Sequence, residues 1–166
     1  MIQKDRAPAM HANIKTVAFR GIDTIPVEVQ VHVANGLPAM AIVGLADKAV
    51  AESRERVRAA LASIGLALPP KRIAINLAPA DVVKEGAHYD LPIALGLLVA
   101  TGTLPADAVD GRLVLGEWSL HGGIEPVSGM LPAAMAAVGA GPDVAFQSPS
   151  RSSAVARPAA RTARSI

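Results

Sequence analysis

The feature that most constrains the fold of this chain is an alternation of apolar and polar residues over Ile25–Ala34. A period of two residues is typical of a strand that buries one face and exposes the other. The inward set is Val27, Val29, Val31 and Val33, and the outward set is Glu28, Gln30 and His32. This stretch is therefore predicted to be a half-buried strand, and the fold must supply a sheet for it.

Three further apolar stretches are predicted to be strands of the same sheet. They are Ile14–Arg20, Ala39–Val43 and Arg72–Leu77, with a turn over Gly21–Thr24. Asn35-Gly36 is a strong two-residue hairpin signal, because both residues tolerate positive φ. It predicts that Ala39–Val43 folds back as the partner of the alternating strand.

Helical periodicity is clearest over Asp47–Ile64, where the apolar residues fall near one face and Gly65 is a plausible stop. A second helix is predicted over Asp90–Ala100, with Pro92 tolerated in its first turn and Asp90 as its N-cap. A third is predicted over Leu131–Val138.

The mixture of strands and helices lacks strict βαβ alternation, which indicates an α+β fold with helices on one face of a mixed sheet. Short strands are also expected at Leu113–Leu115, Trp118–Leu120 and Val144–Phe146.

The chain divides into three parts by pattern. We expect a flexible start over residues 1–13, one domain over 14–146 and a disordered basic tail over 147–166, where the periodicity ends. The tail carries four arginines; removing them from the 16 basic residues leaves 12 against 14 acidic residues, a net charge of −2. Strong nonspecific DNA binding by the domain is not expected from charge alone.

Composition excludes several classes of function. The chain has no cysteine, so it offers no thiolate nucleophile and no Cys-based metal site. Two Phe, one Tyr and one Trp cannot build a base-stacking platform of any size. No apolar run is long enough to span a bilayer and no secretory leader is evident, so we expect a cytoplasmic protein without membrane partners.

The common catalytic motifs are absent as well. A nucleotide-binding loop needs Gly-Lys-Ser/Thr, and none of the lysines follows a glycine. His88 and Asp90 could in principle share a metal, but a polar loop before a capped helix is the stronger interpretation. The charged run Arg54–Arg58 is interrupted by Glu55 and is predicted to be a solvated helix face.

Several ordered motifs nevertheless resemble one family. They are Val27–Pro38 followed by Ile42–Leu45, Glu52–Arg58, Ile75–Asp81 continuing through Lys84–Ala94, Gly116-Glu117, and Gly122–Pro126. Together they resemble the amino-terminal domain of the ComM/YifB proteins, the magnesium chelatase-like AAA+ ATPases, over about Ile14–Val138.

The resemblance implies a Lon-protease-like, ribosomal protein S5 domain 2-like fold. It also implies that the domain precedes an ATPase module that binds ATP and magnesium; no cofactor is expected in this chain itself. Family members are described as hexameric DNA helicases that promote branch migration during natural transformation. Self-association, contact with the ATPase module and possible DNA contact are the implied partners.

Residues carried over from the family motif are expected to be structural. They are Asn76, Asp81, Glu85, Gly86, Asp90, Pro92, Gly116 and Glu117.

The likeness to Lon also suggests where a serine–lysine dyad would lie. Near those places this sequence has Asp90 and Leu131, and neither can act as the nucleophile or the base of such a dyad. The leading interpretation is a non-catalytic accessory or assembly domain without its own ATPase. A Lon-like peptidase remnant and a magnesium-chelatase-type subunit are the alternatives.

Overall fold

A computed structural model describes residues 10–140. The predicted strand Val144–Phe146 and the predicted tail lie outside the described residues. The strands are β1 (His11–Arg20), β2 (Asp23–Ala34), β3 (Ala39–Val43), β4 (Arg72–Ala78), β5 (Glu117–Trp118) and β6 (Ile124–Glu125). The helices are α1 (Lys48–Ser63), α2 (Asp90–Ala100) and α3 (Met130–Ala140).

Four strands form the main sheet in the order β1-β2-β4-β3. β1 and β2 are antiparallel, β2 and β4 are antiparallel, and β3 runs parallel to β4. The sheet is therefore mixed, as predicted. The predicted pairing of Ala39–Val43 with the alternating strand is wrong, because β4 inserts between them.

The insertion of β4 has a physical reason. Val29, Val31 and Val33 present an apolar row at the β2 edge, and the register places Leu77, Ile75 and Ile73 directly beside them. Both sets are buried. The Asn35-Gly36 turn does reverse the chain direction, but β3 returns one strand further out and α1 then carries the chain across to β4.

The main core lies between one face of this sheet and the helices α1 and α2. Gly96 lets α2 pack close to β2, since a Cβ there would stand 2.6 Å from Cγ2 of Val31. Most core side chains are aliphatic, as the composition requires, and the rings of Tyr89 and Trp118 are buried with them.

The third helix packs elsewhere. The β1–β2 register is unbroken, so Val17 and Phe19 face away from the main core. These two side chains join Leu113, Leu115 and Ala133 of α3 in a second, smaller apolar cluster. The expectation of helices on one face alone is therefore wrong for α3, because this end of β1 needs cover on both sides.

The segment after α2 covers the outer edge of β1. Leu113 bridges Lys15 in parallel, and the Val114 N–H donates to the Lys15 carbonyl at 2.9 Å. The predicted strand Leu113–Leu115 is thus a single bridge. The predicted strand Trp118–Leu120 is shorter and earlier, as β5, and pairs with β6, which the periodicity missed.

Candidate functional site

The start of α2 is held by a buried ion pair that reaches across to α1. Arg56 Nε donates to Asp90 Oδ2 at 2.7 Å, and Arg56 Nη2 donates to Asp90 Oδ1 at 3.0 Å. Asp90 has no exposed surface, whereas the Arg56 side chain is 20% exposed. The hydrogen bond to Asp90 raises the pKa of the Arg56 guanidinium. This bidentate geometry fixes the angle between the two helices.

The guanidinium of Arg56 also forms hydrogen bonds within α1. Arg56 Nη2 also donates to the Ala49 carbonyl at 2.8 Å and to Ser53 Oγ at 3.2 Å, one turn earlier on α1. The predicted solvated face holds for Arg54 and Arg58, which are exposed, but is wrong for Arg56. Its position one turn after the buried Ser53 turns the guanidinium inward.

Asp90 also anchors the chain that leads into β5. Its Oδ2 accepts the Trp118 N–H at 3.2 Å. Nearby, Gly116 accepts from the Leu91 N–H and donates to the His88 carbonyl, both at 3.0 Å. Asp90 is the first residue of α2 and follows the cap residue Tyr89, so the predicted N-cap role is wrong. Its carboxylate binds groups distant in sequence rather than its own helix.

The space around position 116 is tight. A Cβ added there would stand 3.1 Å from Cδ2 of Leu91 and 3.3 Å from Cγ2 of Ile124. Asp90, Gly116 and Glu117 of the family motif are thereby brought together. Glu117 lies close enough to contribute to the raised pKa of Arg56.

His88 links the same loop to β1. Its Nε2 lies 2.8 Å from the Val17 carbonyl, so Nε2 carries the proton. The imidazole is buried and its pKa is lowered by that burial. Its ring centroid lies 5.1 Å from that of Phe19 and 4.0 Å from that of Tyr89. These contacts are those of a core histidine, not of a metal ligand.

The loop also buries a lysine that sequence reasoning did not single out. Lys84 has no exposed surface, its ammonium donates to the Pro79 carbonyl, and burial lowers its pKa. Its backbone pairs with the loop before α1, through Lys84 N–H to Leu45 O at 3.1 Å and Asp47 N–H to Lys84 O at 2.9 Å. A single sequence gives no signal for this burial, because lysine ordinarily lies at the surface.

The other residues of the family motif are dispersed. Asn76 lies on β4 and its amide donates to Gln30 Oε1 at 2.8 Å on the sheet face away from α1 and α2. Asp81 and Glu85 are exposed in the loop before α2. Gly86 has φ of 93°, which favours glycine, and Pro92 is buried in the first turn of α2.

The two residues suggested as dyad positions by the likeness to Lon, Asp90 and Leu131, do not form a common site. Asp90 is buried in its ion pair, whereas Leu131 is 72% exposed on α3. Ser53 is the hydroxyl that touches the ion pair, and it is fully buried.

Among residues 10–140, no three His, Cys, Asp or Glu side chains are grouped so as to hold a metal ion. Over the same range, no helix is long and apolar enough to cross a membrane. The site is thus a set of buried polar contacts that join α1, α2 and β5.

Comparison with known proteins identifies the family. The sequence model of the family described as subunit ChlI of Mg-chelatase matches residues 29–146. The chain is 42% identical over 133 residues to the uncharacterized protein YifB of Salmonella typhimurium, and 42% identical over 120 residues to the competence protein ComM of Haemophilus influenzae. The chain belongs to the ComM/YifB family of ChlI-type proteins.

The match is partial on the side of the relatives. It covers 80% of this chain but 26% of the Salmonella typhimurium YifB, and 72% of this chain but 24% of the Haemophilus influenzae ComM. YifB of Escherichia coli, 43% identical over 128 residues, is matched over 25% of its length. The chain therefore spans about a quarter of the length of these ComM/YifB relatives.

Proposed function

We propose that this chain acts as a non-catalytic accessory and assembly domain of a ComM/YifB-type ATPase that moves branched DNA during recombination. The observation that carries the proposal is the use made of Asp90. In a position near which a related peptidase would hold its nucleophile, this carboxylate ties two helices and a strand together. A buried carboxylate that accepts three hydrogen bonds from other elements of the fold serves architecture.

The family assignment supports the same proposal. One relative, from Haemophilus influenzae, carries the name competence protein ComM. In the proposal, ATP and magnesium bind the ATPase module of the longer protein, and the present domain contacts its neighbours there. The fold proposed for it is the Lon-like, S5 domain 2-like arrangement, in the cytoplasm.

The ChlI description of the family suggests a chelatase subunit as the second candidate. No grouping of metal ligands within residues 10–140 favours it. The third candidate, a peptidase remnant, would need an accessible hydroxyl beside Asp90, and Ser53, the hydroxyl that contacts the ion pair, is buried. The accessory role is therefore the stronger proposal.

Deletion and replacement in a full-length relative test the role. Haemophilus influenzae ComM without its matching segment should retain its ATPase fold, yet lose most of its ability to move a synthetic four-way DNA junction. Replacing that segment with residues 10–140 of the present chain should restore movement. A chimera that carries Leu131→Ala should be equally active, because Leu131 is exposed.

Two results would contradict the proposal. One is a deleted ComM that assembles and moves junctions as well as the intact protein. The other is casein cleavage by the purified chain that disappears in Ser53→Ala or Asp90→Ala while circular dichroism shows an intact fold.

A further inference from the structure

A basic groove opens at one end of the sheet. It is a cavity of about 630 Å³ between the end of α1, the start of β3 and the loop that leads into β4. Apolar side chains form its floor, among them Met40, Leu66 and Ile73, and its charged lining residues are Arg58 and Lys71. Within residues 10–140, no carboxylate lines this groove.

The charge of this groove is not neutralised by the described chain. The ion pairs within residues 10–140 involve Lys48, Arg54 and Arg56, and none involves Arg58 or Lys71. Arg58 is exposed and Lys71 is half-buried. Two unpaired cations above an apolar floor fit a ligand that presents carboxylates on a small apolar body.

An acidic turn with that chemistry lies elsewhere on the same molecule. We define it as residues 105–110, a proline followed by Ala106, Asp107, Ala108, Val109 and Asp110. Both aspartates are exposed and neither forms an ion pair within residues 10–140, whereas Val109 is buried and anchors the turn. Arg112 follows nearby, and the stretch still keeps a net negative charge.

The groove and the turn sit at the same end of the sheet but on opposite edges. Leu113 bridges Lys15 in parallel, so the residues before Leu113 lie toward the start of β1. That start pairs with the end of β2, and the end of β2 pairs with Arg72 at the start of β4, beside the groove. Three strand spacings of about 4.8 Å separate β1 from β3, so the two features lie at opposite edges of the sheet.

We propose that copies of this chain associate head to tail, with the acidic turn of one copy seated in the basic groove of the next. The inference deepens the assembly role proposed above and rests on it. Such an interface is heterologous, because two different patches meet, and repetition closes a ring or extends a filament. Charge complementarity selects a second copy as the occupant of the groove.

Sedimentation equilibrium of the purified chain tests this directly. The weight-average mass should rise with concentration, and the rise should diminish as NaCl screens the charges. Two double variants reverse the charges, Arg58→Glu/Lys71→Glu in the groove and Asp107→Lys/Asp110→Lys in the turn. Each should associate with itself at least about tenfold more weakly than the wild type does. Lys48→Glu/Arg54→Glu makes the same charge change outside the groove and should associate like the wild type.

Mixing the two defective variants is the decisive step. The turn variant retains the basic groove and the groove variant retains the acidic turn, so the mixture should form complexes that neither variant forms alone. Circular dichroism would identify a misfolded double variant. The single substitutions Arg58→Gln and Asp107→Asn would then replace the double variants, and each should weaken association less than the corresponding double variant does.

Three results would overturn the inference. The first is a wild-type chain that stays monomeric at all concentrations. The second is a mixture of the two variants that stays monomeric while the wild type associates. The third is a groove variant that still self-associates like the wild type but no longer binds a duplex DNA oligonucleotide. Junction movement by ComM that still depends on its matching segment would leave the proposed function standing in each case.

Discussion

At the scale of single residues, the Arg56–Asp90 pair shows how one carboxylate serves three elements. Asp90 accepts from a guanidinium on α1 and from the Trp118 N–H in β5, and it opens α2. Removing one partner of a buried pair leaves the other charge without compensation, which costs more than the pair itself contributes.

We therefore expect Asp90→Ala to lower the free energy of unfolding by about 3 kcal/mol. Urea titration followed by circular dichroism measures it. Glu85→Ala removes an exposed carboxylate from the same loop and should change stability by less than about 0.5 kcal/mol. Equal effects of the two substitutions would mean that the pair does not hold the helices.

His88 makes the stability depend on pH. Unfolded His88 takes up a proton near its ordinary pKa of 6.5, whereas burial lowers the pKa of folded His88. Between those two values the unfolded state binds more protons, so stability should be fully present above pH 6.5 and should fall as the pH drops through that window.

The substitution His88→Gln isolates this contribution, because its amide N–H can still donate to the Val17 carbonyl. Comparing urea midpoints at pH 7.5 and 5.5, we expect a smaller decline for the variant than for the wild type. His32→Gln, at an exposed position on β2, is the matched control and should decline like the wild type. An unchanged decline in His88→Gln would rule out His88 as its source.

At the scale of elements, α2 illustrates that contact with the sheet outweighs helix propensity. Its sequence contains a proline and a glycine, both poor helix formers in isolation. Pro92 sits in the first turn, where its missing N–H is harmless, and Gly96 lets the helix approach Val31. The predicted bounds Asp90–Ala100 are confirmed because strong apolar content and turn signals agree there.

Two glycine substitutions separate space from propensity. Gly96→Ala should destabilise the chain by about 1–3 kcal/mol, since its Cβ would stand 2.6 Å from Val31, despite a propensity gain of about 1 kcal/mol. Gly139→Ala in α3, where a Cβ meets nothing within 4 Å, should stabilise by up to about 1 kcal/mol. Thermal unfolding of both variants measures the contrast, and a stabilising Gly96→Ala would contradict the close packing.

At the scale of the whole molecule, the sheet order decides which surfaces meet. Because β4 separates β2 from β3, α1 crosses over the core and brings Arg56 to Asp90, 34 positions later in the chain. The same order puts the basic groove beside β3 and the acidic turn beside β1. The bridge from Leu113 to Lys15 contacts the edge strand β1, and β3 is the other edge strand of the sheet.

The sequence by itself determined the elements whose signals are local. Alternation predicted β2, periodicity predicted α1 and the ordered motifs predicted the family, because each depends on neighbours within a few residues or on residue identity. Periodicity did not predict that β1 starts at His11, nor did it predict the short strand β6, because two or three residues carry no measurable period.

Only the tertiary structure decided the pairing of β3 with β4, the second face covered by α3, the partial burial of Arg56 and the full burial of Lys84. These depend on which distant apolar rows match when the chain closes, and on acceptors that lie far away in sequence, such as Asp90 for Arg56. A hairpin signal or a charged run records only local preference, and the free energy of packing the core outweighs that preference.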